Sequence, residues 1–360
     1  MFNATLDSEA LFDAAERNDI ETVKHFIEEK GAPLTITYGL LRHSLAHVGA
    51  KNGNLSLVKY IVEKDPSVLK NDDEYSDTLL HLAVESDAFD VVKYLMEEHN
   101  IDITRGECPV FRTTAQHTAV KFNRLNMLKY FLEEKDGDVN LVDWQEIPLV
   151  FFGVKYQHPD IVKYLVEEKN ANLTMLDRDQ ENILYTTVRI DDLPTMKYLL
   201  DERKVKLDIN WRNYEGETLV HKAVIYNRTE MLEYLVGEKH ANVNVPDKLY
   251  FMTPLHYAAS RNRYYMCKYL IDHGADTQFQ DDKGQVPVEK ASEERLIEYM
   301  KNVSKTSRRR RRNIILPERF TFKRPVPIPC HHGLQNHSEQ PFELKDSPER
   351  NTEISSSSDF

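Results

Sequence analysis

One short phrase recurs along the whole folded part of this chain. It reads Val58-Lys-Tyr-Ile, Val92-Lys-Tyr-Leu, Leu128-Lys-Tyr-Phe, Val162-Lys-Tyr-Leu, Met196-Lys-Tyr-Leu, Leu232-Glu-Tyr-Leu and Cys267-Lys-Tyr-Leu. Val23-Lys-His-Phe precedes the series and Ile297-Glu-Tyr-Met follows it. The third members, from His25 through Tyr60, Tyr94, Tyr130, Tyr164, Tyr198, Tyr234 and Tyr269 to Tyr299, lie 35, 34, 36, 34, 34, 36, 35 and 30 residues apart. A period near 34 residues means stacked supersecondary units. A single unit of that size cannot bury its own apolar face, so such a chain folds only as a stack in which each unit covers the next.

A second column lies sixteen residues ahead of the tyrosines. It reads Ser44-Leu-Ala-His-Val-Gly-Ala, Thr78-Leu-Leu-His-Leu-Ala-Val, Thr218-Leu-Val-His-Lys-Ala-Val and Thr253-Pro-Leu-His-Tyr-Ala-Ala. The period alone fits tetratricopeptide and ankyrin arrays, but this phrase resembles the ankyrin T-P-L-H-x-A signature. Gly216 and Gly284, two residues before a signature start, sit where ankyrin hairpins turn. The resemblance covers roughly residues 8–300. It implies an all-α solenoid of about eight full units plus a truncated C-terminal cap, joined by short β-hairpin loops. The last unit keeps both phrases but is three residues short between them. The small column, Ala14, Gly49, Ala83, Ala119, Gly153, Thr187, Ala223 and Ala258, lets the first helix approach its neighbour closely.

Charge divides the chain. Residues 1–300 carry 35 Lys/Arg and 52 Asp/Glu, a net −17, and residues 301–360 carry 12 and 7, a net +5. An acidic array argues against a nucleic-acid backbone as its partner. The cysteines Cys108, Cys267 and Cys330 are few and widely separated, so a reducing compartment and no disulfide framework are expected. No signal peptide and no spanning segment are read. Residues 301–360 are expected to be a disordered tail with a proline-rich stretch (Pro325–Pro329) and a serine run (Ser355–Ser358). Its basic run, Arg308, Arg309, Arg310, Arg311 and Arg312, reads either as an import signal or as a solvated linker.

Chemistry-bearing motifs are missing: there is no phosphate loop, nucleophile elbow or zincin pair. Cys330-His331-His332 with His337 lacks a second ligand pair, so no metal and no cofactor are expected. His47, His81, His117, His221 and His256 occupy the signature's histidine column, and the resemblance implies a structural role, bonding hairpin backbone and bridging units. Phe12, Phe151 and Tyr185 fill that column elsewhere, which suits packing. The recurrent Glu-Glu-Lys at helix ends, at Glu28, Glu133 and Glu167, reads as a solvated face.

The resemblance also implies a partner protein on the concave face, made of hairpin tips and first helices. Carried onto this chain, the contact positions hold Phe111, Phe122, Trp144, Tyr156, Tyr214, Tyr226, Tyr250 and Arg261. Exposed aromatics mark interaction sites; the rival reading packs these rings sideways against the next unit's helix. The expectation is a monomeric, non-enzymatic protein-interaction scaffold or adaptor, cytoplasmic and in one alternative nuclear. Rivals are a nuclear regulator using the arginine run, and a host-directed effector of an intracellular microbe or virus.

Overall fold

The computed structural model describes residues 6–39, 42–70, 78–101, 103 and 113–312. Two units divide the chain, residues 1–310 and 311–360; the array is the first. Its described residues form nine helix pairs, one for each copy of the repeated phrase. The first helices are α1 (Leu6–Glu16), α3 (Leu45–Lys51), α5 (Leu79–Glu85), α7 (Ala115–Lys121), α9 (Leu149–Lys155), α11 (Ile183–Ile190), α13 (Leu219–Ile225), α15 (Pro254–Ser260) and α17 (Pro287–Lys290). The second helices are α2 (Ile20–Lys24), α4 (Leu55–Lys64), α6 (Phe89–Lys93), α8 (Leu125–Glu134), α10 (Pro159–Lys163), α12 (Leu193–Lys197), α14 (Thr229–Glu233), α16 (Tyr264–Asp272) and α18 (Glu294–Arg312). Each first helix from α1 to α15 packs on its own second helix and on the first helix of the next unit. Strand is confined, among the described residues, to Thr37–Tyr38 paired antiparallel with His43–Ser44, and to one bridge between Val142 and Pro148.

The signature starts each first helix as a cap. Ser44, Thr78, Thr218 and Thr253 are N-caps, and the histidine three residues on closes a capping box. The backbone N–H of Thr218 donates to His221 Nδ1 at 3.1 Å, and that of Thr253 to His256 Nδ1 at 3.1 Å. With Nδ1 accepting, the ring proton must sit on Nε2, which donates to the next unit: His221 to Met252 O (3.1 Å), His256 to Gln285 O (3.2 Å) and His81 to Thr113 O (2.7 Å). Tyr185, in the same column, reaches the same place with its hydroxyl, at Glu217 O (2.8 Å) and Trp211 O (2.6 Å). It therefore bonds between units as well as packing.

The small column is buried throughout. A Cβ added at Gly153 would lie 2.9 Å from Val162 Cγ2, and one at Gly49 3.0 Å from Val58 Cγ2. The column thus faces the first residue of the repeated phrase, and its size sets how closely the two helices of a unit meet. Five second helices, α2, α6, α10, α12 and α14, run on through π-helical turns, for example Tyr164–Glu168 and Tyr234–Glu238. In those units seven residues separate the phrase's third member from the residue whose N–H closes the helix end, as from Tyr164 to Ala171, which donates to Leu165 O. In the eighth, Tyr269 to Ala275 spans six, and α16 stays a plain α-helix. The extra residue is absorbed as the wider turn.

The tyrosines of the phrase join successive units. Tyr60, Tyr130, Tyr164, Tyr198 and Tyr234 each donate a hydroxyl proton to a carboxylate of the preceding unit: Glu28, Glu97, Glu133, Glu167 and Asp201, at 2.8–3.0 Å. Lys64, Lys135, Lys169, Arg203 and Lys239 then pair with those same carboxylates. Burial first, and then the carboxylate partner, pushes the Tyr60 and Tyr198 phenols up to about 12. The Glu-Glu-Lys ends are therefore partly solvated but also bonded to the next unit.

The array closes with a four-residue first helix, α17, and a long second helix. The expected break at residue 301 falls inside α18, which reaches Arg312, and the first unit ends at residue 310 rather than 300. The period stops there, but Lys and Arg are good helix formers, and Ser304 still docks on Thr277 (3.2 Å). The arginine run Arg308–Arg312 thus lies on helical backbone. The proline stretch, the serine run, Phe111, Cys108 and Cys330 lie outside the described residues. Cys267 is a buried free thiol, and burial pushes it up to about 12.

Candidate protein-interaction face

The hairpin tips that precede the first helices are built on a column of Asp and Asn that the sequence reading passed over. Asp143, Asp177 and Asp281 each accept two backbone N–H groups on Oδ1 across the turn, from Gln145 and Ile147, Asp179 and Glu181, and Lys283 and Gln285. Asn213 accepts from Glu217 N and Asp247 from Tyr250 N. At the turn, Gly216 takes φ +83°, and a Cβ there would lie 2.7 Å from Lys248 N. Successive tips are stitched by one backbone bond each: Arg178 N to Gln145 O, Tyr214 N to Asp179 O, Lys248 N to Glu215 O and Asp282 N to Tyr250 O, at 2.8–3.1 Å.

Beneath the tips of the fifth to seventh units lies a pocket of about 450 Å³, lined among others by Asp177, Asp179, Glu181, Arg189, Tyr214, Glu215, Lys222 and Tyr226. Its floor is a buried ion network. The Glu181 side chain is only 3% exposed and meets Arg189 Nη2, Lys222 Nζ (3.3 Å) and Asn213 Nδ2 (2.9 Å). Lys222 also holds Glu217 at 2.6 Å and approaches Glu215 at 3.8 Å. Burial raises the Glu217 carboxyl against the pull of Lys222. Burial opposes the charges on Lys222 and Arg189, and the Glu181 and Glu217 carboxylates outweigh it for Lys222, as Glu181 does for Arg189, holding both cations firmly protonated.

Of the eight expected contact residues, Phe111 lies outside the described residues, and the other seven do not all line the pocket. Tyr214 and Tyr226 line the pocket together. Trp144, 38% exposed, lies beside it, with the Arg178 guanidinium 5.6 Å from its ring centre. Tyr156 is half-buried, its ring 5.8 Å from that of Phe152, and Phe122 is half-buried under Lys121. Both contacts are with residues of the same unit, and neither ring is among those that line the pocket. Tyr250 is 51% exposed in the tip of the eighth unit, and Arg261 lies over the Tyr257 ring at 5.4 Å. Exposed apolar residues at Leu249 (59%) and Phe251 (47%) flank Tyr250, and Tyr214 in the adjoining tip is 69% exposed.

Sequence reading placed Glu217 among the contact positions of the seventh unit but missed Glu181, Arg189 and Lys222. One signal was present: Lys222 follows the signature histidine, a place held by Val48, Leu82, Thr118 and Tyr257 in other units. A charge in a column that is apolar or uncharged elsewhere needs a buried counter-charge. Among the described residues no cluster of His, Cys, Asp or Glu is placed to hold a metal ion, and no helix is long and apolar enough to cross a membrane. The pocket presents charged and aromatic side chains.

Models of ankyrin repeats in three copies match residues 11–107, 104–177 and 151–247, and a single ankyrin-repeat model matches 250–282. The chain belongs to the ankyrin-repeat family, whose fold is a protein-interaction fold. It is 37% identical over 87 residues to the E3 ubiquitin-protein ligase Ufd4 of Drosophila melanogaster, a match covering 24% of this chain and 3% of the ligase. It is 31% identical over 84 residues to a putative ankyrin repeat protein of Rickettsia bellii (strain RML369-C), covering 23% of this chain and 70% of that protein. Among solved structures, the ankyrin repeat domain of Bcl-3, a member of the IkappaB protein family, superposes with a TM-score of 0.51 at 22% identity, over 63% of this chain and 100% of that domain.

Proposed function

We propose that this protein is a scaffold that captures a protein partner along the tips and first helices of its fifth to eighth units. The observation that carries this is the row Tyr214, Leu249, Tyr250 and Phe251: four large apolar side chains, 47–69% exposed, on two tips whose backbones are bonded to each other. Scattered exposed apolar residues need no explanation, but adjoining ones on a rigid strip mark an interaction surface. Tyrosine is also among the side chains that carry most binding energy. The test is quantitative affinity purification of the full chain against Tyr214→Ala combined with Tyr250→Ala. Partners should fall away by about thirtyfold in affinity or more, with melting temperature unchanged. Full retention of every partner would sink the reading. The arginine run supports nuclear entry as a finer reading; localisation with and without Arg308–Arg312 decides between cytoplasm and nucleus.

A further inference from the structure

The pocket beside this row has an unequal charge balance. Its cations are already engaged. Lys222 and Arg189 are held by the buried Glu181 and Glu217, and Arg178 lies over Trp144 with its charge intact, one cation against the three carboxylates that follow. Three carboxylates remain at the mouth. Asp179 is exposed and takes part in no ion pair among the described residues, Glu215 has the 3.8 Å approach of Lys222 and the like-charged Glu217 carboxyl beside it, and Asp177 spends Oδ1 on two backbone N–H groups. Burial first, with Glu181 and Asp179 nearby, holds the Asp177 carboxyl above its usual range, against the backbone bonds that oppose this. Negative charge is therefore in excess where the pocket opens. Tyr214 and Tyr226 flank it, and aromatic faces attract cations. The array's net charge of −17 over residues 1–300 draws basic partners in the same direction.

The apolar tip of the eighth unit adds a second anchor at a known step. Packed helices lie about 8–10 Å apart, and an extended chain advances about 3.3 Å per residue, so one unit corresponds to about three residues. We propose that the pocket of the fifth to seventh units receives a basic side chain, arginine above lysine, of an extended partner segment, and that an apolar side chain about three to five residues along covers Leu249, Tyr250 and Phe251. Arginine is favoured because its planar fork meets two carboxylates and stacks on tyrosine at once. The inference rests on the protein-binding reading above and specifies the chemistry of the partner.

A displayed library of random linear peptides, selected on the full chain, tests it. Enriched peptides should carry a basic residue and an aliphatic or aromatic one about three to five positions apart. A synthetic copy should bind Asp179→Asn/Glu215→Gln at least about tenfold more weakly, and binding to the parent should weaken with added salt. Enrichment of acidic peptides, or of none, overturns the proposal. Peptides that lose affinity for Tyr214→Ala/Tyr250→Ala but bind the neutralised carboxylate variant as tightly as the parent also overturn it, while leaving the interaction surface standing. Peptides indifferent to both variants remove both readings.

Discussion

The second-helix side and the tip side of this array are both rich in tyrosine, and they use it in opposite ways. On the second-helix side Tyr130, Tyr164 and Tyr234 are 2–3% exposed and each hydroxyl is donated to a carboxylate of the unit before. On the tip side Tyr214 and Tyr250 stand 69% and 51% exposed, bonded to neighbouring units only through their backbones. The same residue type thus serves as an internal rivet on one side and as open contact surface on the other. The difference follows from position. A tyrosine of the repeated phrase faces a neighbour one period away, whereas a tip side chain has only the turn behind it. Cohesion should therefore reside in the seams between units and beneath the tips, and almost none of it in the tip side chains.

The largest test of that division is acidification. Burial pushes His117 and His221 down to about 4 from an ordinary 6.5. Between those values the unfolded chain binds protons that the folded chain refuses. Their contribution is fully present above about pH 6.5 and is lost as pH falls toward 4, amounting to about 3 kcal/mol for each histidine. Denaturant midpoints measured across that interval should fall steeply; a flat profile would show that the histidines are not sealed between units. Next comes Lys222→Ala, which strands Glu217 in the interior and leaves Glu181 with Arg189 and Asn213 alone. Removing one partner of a buried ion network costs about 3–5 kcal/mol, read as a lowered urea midpoint, and the effect should be smaller at a pH that protonates Glu217.

A smaller effect is expected from Ala258→Leu, which overfills the small column by about 1–3 kcal/mol. Hydrogen exchange should show the loss concentrated in the seventh to ninth units, because a stack couples nearest neighbours. Tyr234→Phe removes one inter-unit bond and should cost about 1 kcal/mol. Smallest is Tyr214→Ser, a surface change that should move stability by no more than about 0.5 kcal/mol. If Tyr214→Ser destabilises as much as Tyr234→Phe, the tips are part of the cohesion after all.

The parts of this fold legible in the sequence are those written within one period. The phrase around Tyr164, the signature around His256 and the small residues Gly153 and Ala258 each recur locally, so eight full units and a shortened cap could be counted before any coordinates. Relations that cross periods were hidden. Tyr164 and Glu133 lie 31 residues apart and meet only after stacking. Glu133 alone looks like any surface carboxylate. Glu181 and Lys222 read as surface charges because burial depends on the depth of the groove between tips, which no single unit specifies. Phe122 and Tyr156 occupy contact positions by spacing, but their rings lie against their own units, so position along the repeat did not fix side-chain direction. The break placed at residue 301 mistook the end of a period for the end of a helix.

The single backbone bond between each pair of neighbouring tips has a metric consequence. Arg178, Tyr214, Lys248 and Asp282 each tie their tip to the one before, so the distance from one tip to the next is set first by peptide geometry, with side-chain bonds such as Lys248 Nζ to Tyr214 O (3.2 Å) added to it. The strip behaves as a graduated rule: its marks can be rewritten by substitution, and its length can be changed by gaining or losing whole units, while the interval between marks stays the same. A ligand segment matched to that interval keeps its fit at every remaining mark when a distant unit is altered, and loses it in whole steps, never fractions, when a unit between two anchors is removed.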